Sequence, residues 1–334
     1  MTPPHLIFFC ELDTPALQAL FADAAVLETL QALEAGVALG LRDLSQERAA
    51  VVRQLNAAGV PVTAWLLLPE AEGYWCNADN APQAAARYAD FRAWTEAEAL
   101  SWAAVGLDIE PDIGLLRRLL AGDGRALGAW LRAAFAPGRL QRARVAYAAL
   151  VAQMRADGFT VESYHFPFVV DERRADATLL QRLLGLVEVA TDREVLMLYS
   201  SFLPEQGPGL LWSYAPDAEA LAVGITGGGV DLPNALAPLD WATFARDLRL
   251  AWMWQHTIYI FSLEGCVQQG FLSRLVDFDW AEVPPSPLKA GRRVDRVRAL
   301  ARALLWLSRY PGTLLAALVG GWALWRICRA RRRE

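Results

Sequence analysis

Residues 60–112 read VPVTAWLLLPEAEGYWCNADNAPQAAARYADFRAWTEAEALSWAAVGLDIEPD, one full turn of the pattern on which the fold depends. Val60–Leu68 is an apolar run of strand length. Pro82–Ala99 is rich in alanine and has helical spacing, and Ala103–Ile109 is a second apolar run. A strand that is apolar without alternation is buried on both faces, as in parallel sheets covered by helices. Strand, helix and strand in that order predict a parallel pair joined by a helical crossover.

Working outward, runs of the same kind recur at Leu6–Cys10, Gly36–Leu41, Thr160–Phe166, Val195–Ser201, Leu221–Thr226 and Thr257–Leu263, eight in all. Glu47–Ala57, Leu140–Ala156 and Trp241–Met253 supply further helical stretches between them. Eight units within residues 5–265 predict an α/β fold, a single closed (β/α)8 TIM barrel. The second run is short and interrupted by glycine. No GxGxxG follows the first run, which removes the main support for a dinucleotide-binding sheet. Gly227–Gly229 lacks the lysine of a phosphate-binding loop and reads as a flexible barrel loop.

The composition agrees with a large folded core. Of 334 residues, 54% are hydrophobic and 21% charged, which excludes intrinsic disorder. The cysteines at 10, 76, 266 and 328 form no CxxC pair, so neither a disulfide framework nor a zinc knuckle is expected. The net charge of −5 hides an asymmetry, because residues 289–334 carry 12 basic and 2 acidic residues. The remainder is therefore acidic, which argues against nucleic acid as a partner of the body.

The organisation expected is a barrel over 1–282, a proline-rich linker over 283–290, and a basic, hydrophobic, membrane-associating tail over 291–334. Tyr310–Trp325 is sixteen residues without a charge. Arg309 and Arg326 flank it, and Trp306, Tyr310, Trp322 and Trp325 stand where an interfacial belt would lie. Residues 304–327 are the expected membrane contact; the alternative is a helix packed on the barrel. The N-terminus has no basic n-region and no cleavage site, which puts the body on the cytoplasmic side by default.

Active sites of such barrels sit at the C-terminal ends of the strands. Those ends offer Glu11, Glu70, Tyr74, Trp75, Asp108, Glu110, Tyr164, His165, Tyr199, Phe261 and Glu264. The second run is followed by Arg42 and Asp43, and a rim rich in carboxylates and aromatic rings but poor in cations suits sugars, whose apolar faces stack on rings and whose hydrolysis uses carboxyl groups. Trp212 and Tyr214 are further candidate sugar platforms. Asp108 and Glu110 are two apart on a strand and so share a side. Two close carboxylates raise the proton affinity of one, as a general acid requires; the plainer alternative is a helix cap and an ion pair. Three dispersed histidines make no zinc site, and no cofactor is expected, although Glu11, Asp108 and Glu110 leave an oxygen-rich magnesium or calcium site open.

Gly106-Leu-Asp108-Ile-Glu110-Pro111 resembles the end of the DxxDxDxE motif of family 18 glycoside hydrolases, the chitinase-like barrels, with Glu110 in the place of the catalytic glutamate. Val195–Tyr199 resembles that family's Met-x-Tyr strand, whose tyrosine contacts the substrate N-acetyl group. Ile258–Gly265 is similar to its last strand, with Phe261 in place of the tryptophan. The two earlier aspartates of the motif are Ala103 and Gly106 here. Tyr164-His165-Phe166 also resembles a strand of family 25 muramidases, although there it precedes the Asp-x-Glu strand. The resemblance implies hydrolysis of N-acetylated amino-sugar glycans, with Glu110 as acid, Asp108 as its electrostatic partner and Tyr199 positioning the reacting group. Two alternatives stand beside it: a non-catalytic glycan- or envelope-binding barrel, and a metal-dependent lyase or phosphodiesterase.

Overall fold

The computed structural model describes residues 3–230 and 237–310. The strands are β1 (His5–Cys10), β2 (Gly36–Leu41), β3 (Val62–Leu66), β4 (Ala104–Asp108), β5 (Val161–His165), β6 (Arg193–Met197), β7 (Ala220–Gly224) and β8 (Thr257–Phe261). Each pairs in parallel with the next, and β8 closes on β1 with Ile7 opposite Tyr259, so the barrel is closed as expected. The short second run is a full strand of six buried residues.

Side-chain parity along the strands builds two cores. Leu6, Phe8 and Cys10 of β1, with Val37 and Leu39 of β2, face outward and pack under the helices. Ile7 and Phe9, Trp65, Tyr164, Met197 and Tyr259 face inward and fill the barrel. Lower in the barrel Glu162 accepts from Tyr259 Oη at 2.7 Å and from Arg193 Nη1 at 2.8 Å, a buried acid held by paired donors. The helices Gln46–Ala57, Ala81–Ala97, Arg139–Ala156 and Trp241–Trp252 lie within two residues of their expected ends. Ser45 and Asp240 cap the first and last of these by accepting backbone N–H bonds from Arg48 and Thr243.

The first part of the segment expected as a tail from residue 291 belongs to a helix, Leu288–Ser308, that packs on the barrel's outer helices; residues 311–334 lie outside the described residues. Gly291 sits against the Trp212 ring, where any Cβ would collide. Arg298 is buried between the helices Phe168–Ala175 and Gly207–Tyr214. Its guanidinium meets Asp171 Oδ1 at 3.0 Å and Asp217 Oδ2 at 2.8 Å, donates to the Ser213 carbonyl, and lies 3.7 Å from the centre of the Tyr214 ring. Leu305 packs on Ala175 and Ala177. An arginine-rich segment thus packs on an acidic body because specific carboxylates neutralise it. Most of the expected membrane contact, 304–327, lies outside the described residues. No helix among the described residues is long and apolar enough to cross a membrane.

Candidate active site

Strand β4 carries the central pair, and its neighbours extend it beyond Asp108. Cys76 N–H donates to the Asp108 carbonyl at 2.9 Å, Glu110 N–H to the Cys76 carbonyl at 3.2 Å, and Ile109 N–H to the Tyr164 carbonyl at 3.1 Å. This pins the backbone on both sides through Glu110, so strand parity puts both carboxylates on the inner side. Asp112 then caps the helix Ile113–Leu120, its Oδ1 accepting from Leu115 N–H at 2.6 Å.

The two carboxylates open into a cavity of about 360 Å³ at the C-terminal end of the barrel. Trp65, Trp75, Tyr164, Tyr199 and Phe261 line its walls, with Glu11 from the end of β1. The rings pack edge to face, Phe9 against Tyr164 at 4.9 Å and Trp65 at 5.2 Å between centres, and this rigidifies the floor. Gly228 and Gly229 form one edge without filling the space.

Gly106 accounts for the missing motif aspartate. A Cβ on Gly106 would lie 2.7 Å from Tyr164 Cζ, so the tyrosine ring occupies the room a side chain there would need. The tuning of the pair falls instead to Glu11. Burial in the apolar wall raises the Glu110 carboxyl to about 8, and the Glu11 charge adds to that rise. Burial first, then Glu110 and Glu11, push Asp108 well above the usual carboxylate range. Burial raises Glu11 to about 7, moderated by the Tyr74 hydroxyl, which donates to its Oε1 at 2.6 Å. Three carboxyl groups in one apolar pocket cannot all ionise, so the pair titrates as a unit and keeps a proton at neutral pH. The Trp65 indole N–H beside Asp108 favours its charged form, and the neighbouring Glu110 carboxyl opposes it.

Several expected site residues stand elsewhere. Tyr74 is behind Glu11 as its donor rather than on the wall. Glu264 stands behind the edge formed by Gly228, its Oε1 accepting from Glu11 N–H at 3.3 Å, and burial raises it to about 7. Glu70 is at the surface, paired with Arg117 at 2.6 Å, because its short helical turn faces solvent. His165 alternates with Tyr164 and therefore points out of the barrel. Burial holds it down to about 4, and its charged neighbours are Glu188 and Arg173. Trp212 and Tyr214 belong to the outer helix Gly207–Tyr214, packed on Trp254 and bonded to Asp171, and are not platforms. No group of three or more histidine, cysteine or acidic residues among the described residues is arranged to hold a metal ion.

Sequence reading missed Phe9, Trp65, Met197, Leu120, Phe202 and Ile225 as cavity residues. Parity was the available signal for two of them, since Phe9 is two before Glu11 and Met197 two before Tyr199. Leu120 and Phe202 come from segments after the strands, where no periodicity points inward.

No protein-family model and no curated protein matches the chain. Among solved structures it is similar to L-ribulose 3-epimerase (12% identity, covering 95% of this chain and 99% of that one, TM-score 0.41). It is also similar to the HMG-CoA lyase of Brucella melitensis (10% identity, 90% and 100% covered, TM-score 0.41). The glycoside hydrolase domain of PgaB (BpsB) from Bordetella bronchiseptica is similar at 12% identity and a TM-score of 0.50, covering 84% of this chain and 100% of that domain. At that identity the likeness to the PgaB domain is one of fold, the barrel itself.

Proposed function

We propose that this barrel is a glycosidase acting on glycans of N-acetylated amino sugars. Glu110 is the general acid, Asp108 shares and steadies its proton, and Tyr199 positions the reacting group. The observation that carries the reading is a proton-holding carboxyl pair opening into an aromatic-walled cavity at the C-terminal end of the strands. A carboxyl group that stays protonated at neutral pH can give its proton to the departing glycosidic oxygen. Burial in the presence of Asp108, Glu110 and Glu11 keeps the Tyr199 hydroxyl neutral, so it serves as a hydrogen-bond donor. Trp75 and Phe261 offer faces for the sugar ring. The PgaB domain is a fold-level analogy for such an activity.

The test is release of a fluorescent aglycone from aryl glycosides of N-acetylglucosamine and its oligomers. Turnover that follows the protein through purification supports the reading. Saturable glycan binding with no turnover on any member replaces it with a non-catalytic glycan-binding barrel.

We also propose, from sequence alone, that residues 304–327 contact a membrane. The uncharged run Tyr310–Trp325 between arginines supports this. Flotation with lipid vesicles that survives high salt is expected, since apolar burial is not screened. Release by salt alone contradicts it.

A further inference from the structure

The cavity bears three carboxylates, Glu11, Asp108 and Glu110, and no arginine, lysine or histidine among its described lining residues. The cations nearby stand outside the lining. Arg42 donates to the Glu11 carbonyl at 3.3 Å and partly offsets the Glu11 charge, Arg117 pairs with Glu70 at 2.6 Å, and Arg193 is held below the floor by Glu162 at 2.8 Å. His165 points outward and is neutral. The remaining wall is aromatic or aliphatic.

We propose that this cavity selects by charge, taking a glycosyl residue without acidic substituents, such as an N-acetylhexosamine, and rejecting the same residue bearing a carboxylate. The proposal rests on the reading of the cavity as a glycan site and narrows it. An anion entering here leaves water, meets no counter-charge among the described lining residues, and faces groups that are themselves acidic. The rejection holds whichever protonation state the carboxyl groups adopt. Protonated, they remove the repulsion but supply no positive charge to replace lost hydration. Ionised, they add repulsion. Sites that recognise carboxylates use arginine forks, and none is present among the described lining residues. The muramic acid and uronic acid classes are therefore excluded, and N-acetylglucosamine-type residues are admitted.

The experiment uses the full chain and a matched pair, an N-acetylglucosamine trimer and the same trimer oxidised to a carboxylate at C6. Calorimetry gives the two affinities, and turnover is assayed separately. The neutral trimer is expected to bind at least about 100-fold more tightly. Leu120, which edges the cavity and is 53% exposed, provides the second arm. In Leu120→Arg the ratio of neutral to acidic affinity should narrow at least about tenfold, as a missing counter-charge is supplied. Equal affinities in the unaltered protein, tighter binding of the acid, binding of neither, or an unchanged ratio in the variant would each overturn the proposal. Neutral binding without turnover overturns the hydrolase reading and leaves the charge selection standing.

Discussion

Replacing Arg298 by methionine tests whether the helix Leu288–Ser308 belongs to the barrel's stability. The Arg298 side chain is 5% exposed and its partner Asp171 2%, so solvent screens the pair little. Removing one partner of a buried pair costs about 3–5 kcal/mol, because the charge left behind is unpaired. Here Asp171 keeps Arg302 at 3.2 Å and Asp217 keeps Arg174, which puts the loss at the lower end, about 3 kcal/mol. At about 2–4 °C per kcal/mol, the midpoint of thermal unfolding should fall by roughly 6–12 °C. Differential scanning calorimetry measures it, and methionine is chosen to keep the volume. A chain ended at residue 288 should fall at least as far, since it loses Leu305 and the Gly291–Trp212 contact as well. A drop below about 2 °C in both would refute the reasoning and return the segment to the separate tail read from sequence.

The site carboxyl groups make two further predictions. Burial raises Glu110 to about 8 and Glu11 to about 7, above the ordinary carboxylate value, so the native state binds more protons than the unfolded chain. The stability this brings is complete below about pH 4.5 and is lost as pH rises through the folded values, with a slope of up to about 1.4 kcal/mol per pH unit for each group. Denaturant midpoints should therefore fall between pH 5 and 8, and Glu110→Gln should flatten the curve; a rise over that range would contradict the assignment. Glu11→Gln removes the charge that adds to the Glu110 rise, so the basic limb of the rate profile should move to lower pH. An unmoved limb would show that Glu11 does not tune the acid.

The barrel was legible because its signal is repeated. Eight apolar runs with helical stretches between them admit few arrangements, and each run, β2 included, became a strand. The Asp108–Glu110 pair was legible because strand parity is a two-residue rule that needs no tertiary information. The same rule separates Tyr164 from His165, and Phe9 follows from Glu11, so part of the error at the site was available to correction. Glu70 was not, since a short turn after β3 decides whether it faces the cavity or solvent. Nor was the role of Gly106, which depends on Tyr164 arriving from the neighbouring strand. The packing of residues 288–308 was hidden because an arginine-rich helix gives no apolar face until Asp171 and Asp217 are known to receive Arg298.

The most direct test of the account compares Glu110→Gln with the unaltered protein on two N-acetylglucosaminides that differ only in leaving group. One leaving group, an unactivated sugar, must be protonated to depart; the other, a dinitrophenolate, needs no proton. General acid catalysis by Glu110 predicts a loss of about 10²–10⁴-fold in kcat/KM on the first and less than about tenfold on the second. An equal loss on both, or none on the first, would contradict Glu110 as the group that donates the proton.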